Sequence, residues 1–564
     1  MKTSEDILAA PPGLVAHLRE DFRLTDAFAR VFAARFKNHP EQAELHLEPS
    51  LSRFVGLKHA PALPAILETL LRARQQRLPV LFYGDYDVDG VSATFILYRL
   101  AQHLGIKAGY FLPSRFNEGY GLSRRIVEQA AELDYRVLLA LDCGTANPAE
   151  VKLAQELGLE VLVLDHHRAA GPVPDVPLIN PALDEGLSPM CTAALAFSLA
   201  CEWLEAEGQP RTLAEQNFLE FAALGIIADV VPLTGDNFIL AHFGMEKIPA
   251  SRNPGLQALL RVLKLQEQKF LTWRNLAFSL IPCLNAAGRM AHARHAMELF
   301  LTHDPGVAAE RALTVLKLNH DRKAQQSRIF TEAMQQAELF PQANILVLYS
   351  SEWNQGITGI VAAKVVEVYG RPTIILSDSS SEENTIVGSG RAPAGCDLFT
   401  TLQPVRELFT QLGGHAKAVG GVLSRSHLGE LRDALATIEL VRMPDADERT
   451  TYEAVLTPED VTPAVVNDLR RAYPFGEGYP PPRVLMQDAR VNRSTLIGYD
   501  RTHLLLNVTG STGTSQLRVI GFQMSHLAER VEEGRSYDLG VELDLDNFGG
   551  ELSVQLRLLE VRTT

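Results

Sequence analysis

LFYGDYDVDGVSAT, residues 81–94, sets the frame for the whole chain. Residues 78–82, ahead of the acids, are apolar and read as a buried strand. From Val91 onward, VSATFILYRLAQHL carries apolar residues at helical spacing. Asp85, Asp87 and Asp89 therefore sit on a turn at the C-terminal end of a strand, flanked by Gly84 and Gly90. Open α/β sheets gather their ligands at that edge. Carboxylates this close repel one another, so a hard divalent cation or a strongly basic partner must offset them. Oxygen ligation suits magnesium or manganese. The plainer readings are a solvated acidic turn and a calcium loop. The calcium loop is disfavoured, because the closing glutamate and the preceding helix are both missing.

Outward from this turn, LVAHLREDF and DAFARVFAARF are amphipathic and predict a small helical cap over residues 1–60 with no chemistry of its own. PALPAILETLLRARQQR, residues 61–77, predicts a helix that delivers the chain to the central strand. After the acids, AGYFLPSRF predicts a strand and EGYGLSRRIVEQAAEL a loop and helix. VLLALDCG predicts a strand ending in Asp142 and Gly144, PAEVKLAQELG a helix, and EVLVLDHH a strand ending in Asp165, His166 and His167. Alternating elements with strands apolar throughout predict a buried parallel sheet. All C-terminal strand ends then share one edge, which collects five carboxylates and two imidazoles. One Asp after a strand is usually a cap; three successive strands ending this way need another reason. The run FLEFAALGIIADVVPL adds Asp229. Two divalent ions sharing a carboxylate would use this inventory, activating a water and holding both oxygens of an in-line phosphoryl displacement. Neighbours on an extended segment face opposite ways, so His166 and His167 are expected to diverge, one to a metal and one to the phosphate. Alone, this pair reads as two surface histidines; beside the acids it does not.

At 564 residues the chain has room for about three or four domains. Apolar residues make up 46% and charged residues 21%, so each domain can bury a core. Cys143, Cys191, Cys201, Cys283 and Cys396 form no CxxC pair, which argues against a disulfide scaffold or a structural zinc site. MKTSEDILAAPPG lacks the basic and apolar segments of a signal peptide, and no window reads as a membrane span. The expectation is a cytoplasmic protein with no membrane partner. A net charge of −15 disfavours nucleic acid globally. Residues 251–330, however, hold 12 Lys/Arg against 5 Asp/Glu, and the local field decides where a phosphate backbone docks.

In the second half, DPGVAAERALTVLKLNHDRKAQQSRIFTEAMQQAEL opens with Asp304 at an N-cap and Pro305 at N1, predicting one helix to near Leu339. ANILVLYS, GIVAAKVVEVYG and RPTIILSD open a second α/β domain. GSGRAPAG is glycine-rich, so backbone N–H groups can approach a phosphate there, with Ser389 and Arg391 adding a hydroxyl and a guanidinium fork. The plainer reading is a hairpin. DADERTTYEA, residues 445–454, is a charged boundary. Beyond it ARVNRSTLIGYD, THLLLNVTG, SQLRVIGF, SYDLGVELDLDNFGG and ELSVQLRLLEVR alternate and turn like a five-stranded barrel.

DYDVDG, EGYGL with Arg115, DCG and DHH, in that order, resemble the motifs of the DHH phosphoesterases. IADVVPL, LNAAGRM, GITGIVA, GSGR and GGHAKAVGG follow in order and are similar to the RecJ branch, single-strand-specific 5′–3′ DNA exonucleases. The resemblance runs from about residue 50 to the C-terminus. It implies a parallel-sheet DHH domain (61–303), a connecting helix (304–340), a DHH-associated α/β domain (341–443) and an OB-like barrel (444–564). It implies two Mn2+ or Mg2+ ions, one on Asp87 and Asp142, the other on Asp89, Asp142, His166 and Asp229. Asp85 is then a ligand or stands just behind one. His167 would face the scissile phosphate and Asp165 would orient a histidine. Tyr83 stands where many relatives carry a histidine, implying fewer protein ligands on the first ion. Ser389 and Arg391 would recognise the 5′ end, with Arg115, Arg289, Gly414 and His415 as further phosphate contacts. Arg311, Lys317, Arg322, Lys323 and Arg328 would line the groove wall. PFGEGYPPP and NFGGELSVQL depart from the resembled FGxGNPxP and NxWxG patterns, which would alter strand affinity.

The expectation is a monomeric exonuclease that hydrolyses single-stranded DNA from its 5′ end to 5′ mononucleotides, in repair and recombination, beside a helicase or single-strand-binding protein. Two alternatives stand: a phosphodiesterase on short oligonucleotides or cyclic dinucleotides, and a non-catalytic scaffold. The barrel and the basic stretch disfavour the first; the complete set of motif acids disfavours the second.

Overall fold

In the computed structural model, which describes residues 7–563 apart from 170, 269, 444–450, 499, 514–515 and 548–550, the run before the acids forms strand β1 (Val80–Tyr83). It lies inside a five-stranded, all-parallel sheet of order β2-β1-β3-β4-β5, with β2 Ala108–Phe111, β3 Val137–Leu141, β4 Glu160–Leu164 and β5 Leu178–Ile179. Val80 and Phe82 face one side with Leu139 and Leu164, against the helices Val88–His103, Thr192–Ala206 and Thr212–Ala228. Leu81 and Tyr83 face the other with Leu138 and Val163, against Arg124–Glu132 and Pro148–Glu156. Burying one such side chain contributes about 2 kcal/mol. Both faces demand it, so apart from Glu160 at the start of β4 the strands are apolar at successive residues and not at alternate ones. The apolar run before Asp229 is no strand: it belongs to the helix Thr212–Ala228, and Asp229 is its C-cap.

The helix that begins at Pro305 runs to Ala337, its first turn capped by Asp304, which accepts from Gly306 N at 2.7 Å and Val307 N at 3.0 Å. The expected basic wall along it is mostly consumed by local pairing. Arg311 pairs with Glu298 at 3.0 Å and Arg328 with Glu332 at 3.2 Å. Arg322 is buried and held by Asn319 and Gln326. This helix leads to a second sheet of order β6-β7-β8-β10-β9. Its strands are β6 Leu346–Tyr349, β7 Thr373–Asp378, β8 Thr385–Arg391, β9 Phe409–His415 and β10 Ala418–Ser424. GSGR, for which the plainer reading is a hairpin, is the end of β8, the second strand of the β7–β8 hairpin, and pairs with β10 on its other side. Its backbone is committed to the sheet, so only side chains are available for a ligand.

The C-terminal strands β11 (Ala454–Leu456), β12 (Arg483–Ile497), β13 (His503–Thr509), β14 (Gln516–Gly521), β15 (Ser536–Asp546) and β16 (Ser553–Thr563) follow the order β11-β12-β13-β14-β16-β15. β12 also pairs with β15, which closes a five-stranded barrel as the alternation predicts. Most of the charged boundary at 445–454, and positions 548–550 of NFGGELSVQL, lie outside the described residues. In PFGEGYPPP, Phe475 and Tyr479 are buried; Tyr479 packs on His46 and Phe238. That segment is a joint between domains and offers no exposed stacking surface. The cap helices Pro12–Glu20, Asp26–Arg35 and Pro40–Leu47 clasp the barrel module. Thr25 donates through N and Oγ1 to Asp468, and Arg35 pairs with Glu453 at 2.6 Å. Among the described residues no helix is long and apolar enough to cross a membrane.

Candidate metal centre and nucleic-acid groove

The C-terminal edge of the first sheet gathers the acids as the strand order requires. Possible ligand atoms of Asp85, Asp87 and Asp142 lie within 4.8 Å of one another, and so do those of Asp142, His166 and His167. Asp142 is common to both groups. It sits just past β3 with a left-handed backbone, φ +65°, a conformation that aspartate tolerates better than most residues. Thr192 Oγ1 donates to its Oδ1 at 2.9 Å. His166 Nε2 lies 3.3 Å from Asp142 Oδ1, 3.5 Å from Asp229 Oδ2 and 3.8 Å from Asp89 Oδ2.

Asp89 stands in neither group. Its oxygens accept Thr192 N and Ala193 N, each at 2.8 Å, at the positive end of the helix Thr192–Ala206. Gly225 allows this approach, because a Cβ there would meet Asp89 Oδ1 at 2.5 Å. Asp87 caps the helix Val88–His103, accepting Asp89 N at 3.0 Å and Gly90 N at 3.2 Å, while Asn285 Oδ1 takes Val88 N at 3.0 Å. Its other oxygen is left to the cluster.

The two histidines do not diverge. The chain leaves the strand after Leu164, alternation stops, and the rings sit 4.4 Å apart over the same crevice. Asp165 fixes this turn. Its Oδ1 accepts His166 N at 2.8 Å, His167 N at 3.1 Å and His167 Nδ1 at 2.8 Å, and its Oδ2 accepts Thr145 N at 3.1 Å. The His167 tautomer is thereby set, with Nε2 free of this bond. Tyr120 donates to the Asp142 carbonyl at 3.2 Å and its ring stands 5.2 Å from His167.

The electrostatics describe a site short of cations. Burial, then Asp87 and Asp142, lifts the Asp85 carboxyl well above its ordinary range. Burial, then Asp142 and Asp229, does the same to Asp89. Asp229 is pushed up to about 6, chiefly by burial and by Asp142. Burial alone would lower His166; the Asp142 carboxylate, with Asp89 and Asp229, holds it up at about 10. Asp85 Oδ1 and His166 Nε2 are buried with no hydrogen-bond partner among the described residues. Orphaned polar atoms aimed into a cluster of carboxylates fit divalent cations.

Next to the acids the field reverses. Arg115 lies over the Tyr86 ring at 4.1 Å, and its Nε is buried without a partner among the described residues. Arg289 donates to Gly356 O at 3.2 Å; burial and the neighbouring Arg115 lower its pKa to about 10. Arg391 is lowered by burial and by Arg115. Three guanidinium groups thus crowd one place that holds too few anions. Ser389 Oγ is 3.5 Å from Thr358 Oγ1, at the N-terminus of the helix Thr358–Tyr369. Arg115, Thr358, Ser389, Gly413 and Gly420 line one cavity of about 730 Å3 between the two α/β domains. Arg289, Arg391, Gly414 and His415 lie outside this lining. Gly414 is required by the hairpin, since at φ +134° a Cβ would meet Ala418 O at 2.3 Å. His415 shares a cross-strand row with Ala418 and Arg391, on the same face two strands away.

Sequence reading singled out every acid and histidine here but missed Thr192, Asn285 and Tyr120. Thr192 is the first residue of a long apolar helix whose N-cap is Cys191, and no local pattern points its hydroxyl to Asp142. Asn285 lies in LNAAGRM and Tyr120 in EGYGL, both visible as motifs without a role for the single residue.

Comparison with known proteins covers the same three blocks. Residues 79–226 match the DHH family N-terminal domain, 342–441 the DHHA1 domain and 452–560 the RecJ OB domain. The chain is 30% identical to the single-stranded-DNA-specific exonuclease RecJ of Dickeya dadantii, over 90% of this chain and 92% of that protein. It is 30% identical to that of Escherichia coli, over 93% and 94%. A crystal structure of Thermus thermophilus RecJ with Mn2+ is similar at a TM-score of 0.80 and 25% identity, covering 100% of this chain and 80% of that one. A manganese-bound exonuclease RecJ structure is similar at a TM-score of 0.60 and 30% identity, covering 68% and 95%.

Proposed function

The chain belongs to the RecJ family of single-stranded-DNA-specific exonucleases, and on that premise we propose that it degrades single-stranded DNA from the 5′ end to 5′ mononucleotides, in repair and recombination. The observation that carries this is the pair of ligand groups sharing Asp142, next to a cavity with Arg115 and Ser389 in its lining. Asp85, Asp87 and Asp142 would hold one Mn2+ or Mg2+ ion; Asp142 and His166 would hold the other with Asp229, whose Oδ2 is 3.5 Å from His166 Nε2, while His167, the third member of that observed group, is assigned to the phosphate and Asp89 anchors the cluster to a helix N-terminus. Bound there, the ions supply Lewis acidity and an activated water.

The chain's own residues do the rest. Thr192 and the left-handed turn fix Asp142 between the two groups. Asp165 accepts Nδ1–H of His167 and holds the imidazole pKa up against the effect of burial, so the protonated ring presents Nε2–H as a donor to the scissile phosphate. Arg115, Arg289 and Arg391 attract the terminal phosphate, and Ser389 adds a hydroxyl to it. The distance between that pocket and the acids sets the size of the released unit. The groove between the α/β domains takes one strand, and the barrel supplies a further platform for it. A helicase or single-strand-binding protein is the proposed class of partner, with the exonuclease itself a monomer.

The test is digestion of 5′- and 3′-end-labelled DNA and RNA, single- and double-stranded, with Mn2+ or Mg2+. Labelled mononucleotide should appear first from the 5′ label on single-stranded DNA. Equal digestion from a blocked 5′ end would refute the polarity.

A further inference from the structure

Beyond the phosphate pocket the cavity is crossed by a strap. Residues 379–384 join β7 to β8, and within them Ser380 reaches over to the first domain, donating to Phe116 O at 3.2 Å. Gln355 Nε2 donates to the same Ser380 Oγ at 3.1 Å. The strap is shaped internally as well. Ser379 Oγ accepts Ser381 N and Glu382 N, each at 3.3 Å, so the turn keeps its form while it bridges. Ser379, Ser381 and Glu382 face the same cavity as Arg115 and Ser389. At its base Asp378 is held by Arg425 and by Tyr349 Oη at 2.7 Å.

Arg115 faces both ways: its charge acts on Asp85 and Asp87, and it lines the cavity together with Ser389 and the strap residues Ser379, Ser381 and Glu382. Two properties of the strap bear on a polynucleotide. The Ser380–Phe116 bond joins the strap to the first domain and narrows the way past it for a continuing strand. Glu382, the strap's anionic side chain in the cavity lining, also meets the next phosphate of such a strand with like charge, whereas a strand that ends at Arg115 and Ser389 presents none there. The strap itself, SSSEEN at residues 379–384, is polar or acidic throughout.

We propose that the strap at residues 379–383 is the end-stop of the groove: it makes cleavage depend on a free terminus and so separates exonuclease from endonuclease action. This rests on the reading of the site as a single-strand exonuclease. Ser380 and Glu382 act on substrate selection, Ser380 by narrowing the passage and Glu382 by repelling a continuing phosphodiester. Neither takes part in the hydrolytic step.

The experiment uses the full chain with Mn2+ on two substrates of one sequence, a covalently closed single-stranded circle and a linear 5′-phosphorylated strand. Wild type should degrade the linear strand and leave the circle intact. Replacing residues 379–383 by two glycines should raise circle nicking about tenfold or more relative to linear degradation, with full-length linear DNA as the first product. The double variant Ser380→Ala/Glu382→Gln should move the ratio in the same direction, and it decides the matter if the shortened strap lowers linear activity. An unchanged circle-to-linear ratio in the variants overturns the end-stop while linear digestion by wild type leaves the exonuclease reading intact. Wild type that nicks circles as fast as it degrades linear strands overturns it too. Wild type inert on both substrates defeats the exonuclease reading itself, and the end-stop with it.

Discussion

Asp165 is the residue on which the geometry of the histidines depends. One buried carboxylate takes three backbone N–H groups and the His167 ring. Burial by itself would raise its pKa; the His167 hydrogen bond and its positive field hold it at about 2. Asp165→Asn keeps the size but turns a donor toward Thr145 N, leaving a buried N–H unmet at a cost of about 1–3 kcal/mol. The expected result is a fall in kcat of about 10–100-fold with little change in KM, as for other residues that orient a metal-site histidine. Mn2+ titration by calorimetry should give near-wild-type binding, because Asp165 stands in neither ligand group. Wild-type kcat in this variant would remove His167 from the proposed mechanism. Arg391 makes a second residue-scale case. Lysine keeps the charge but loses the planar fork. Arg391→Lys should therefore lower the preference for 5′-phosphate over 5′-hydroxyl ends about tenfold in kcat/KM, measured on paired substrates. An unchanged preference would move the end-recognition site elsewhere.

At the scale of elements, the acidic turn is held in shape by the helix that follows it. Gly90 lies in the first turn of the helix Val88–His103, where a Cβ would stand 2.6 Å from Asp85 N and 2.8 Å from Asp85 Cα. Helix propensity favours alanine over glycine by about 1 kcal/mol. Collision with buried backbone costs about 1–3 kcal/mol and displaces Asp85 as well. The collision wins, so Gly90→Ala should lower the thermal midpoint and abolish the Mn2+-dependent thermal shift. Gly13→Ala, where nothing lies within 4 Å of the added carbon, should do neither. A Gly90→Ala protein with an intact Mn2+ shift would show that the turn tolerates this displacement. The same scale explains what the sequence disclosed. In a parallel sheet the strands are apolar at successive residues and every strand ends at the same edge, so Asp85, Asp142 and Asp165 could be grouped without coordinates. The divergence expected of His166 and His167 failed because alternation holds only while the strand lasts, and β4 stops at Leu164. The backbone N–H groups of GSGR, expected to be open to a phosphate, are engaged in β8 by pairing with β7 and β10, and the pairing with β10, which comes later in the chain, is something no local pattern reveals.

Across the whole molecule, the two ends of the chain are folded onto each other. Thr25 bonds Asp468 across 443 positions of sequence, a separation at which periodicity and spacing carry no information. The cap therefore reads as an isolated helical segment, although it seals the joint between the first domain and the barrel. His46 lies in that joint. Its ring centroid is 4.1 Å from that of Tyr479 and 4.3 Å from that of Phe238, and its Nδ1–H donates to Gln42 O at 2.7 Å. Burial pushes the imidazole down from 6.5 to about 4. A group whose pKa is lower in the folded state takes up its proton first in the unfolded chain, so its contribution is present in full above about pH 7 and is lost as pH falls toward 4. The whole effect is on the order of 3 kcal/mol, and about 2 kcal/mol of it is gone by pH 5. Carboxylates elsewhere add their own pH dependence, so the comparison must be between proteins. His46→Gln carries no titrating group and should start less stable at pH 7, then lose thermal midpoint more slowly than wild type between pH 7 and pH 5. The two curves should converge on acidification. Parallel curves would mean that the His46 pKa is the same folded and unfolded, so that the imidazole sits in no dry contact, and a wild-type curve that gains on the variant toward pH 5 would mean that the ring is held protonated in the joint.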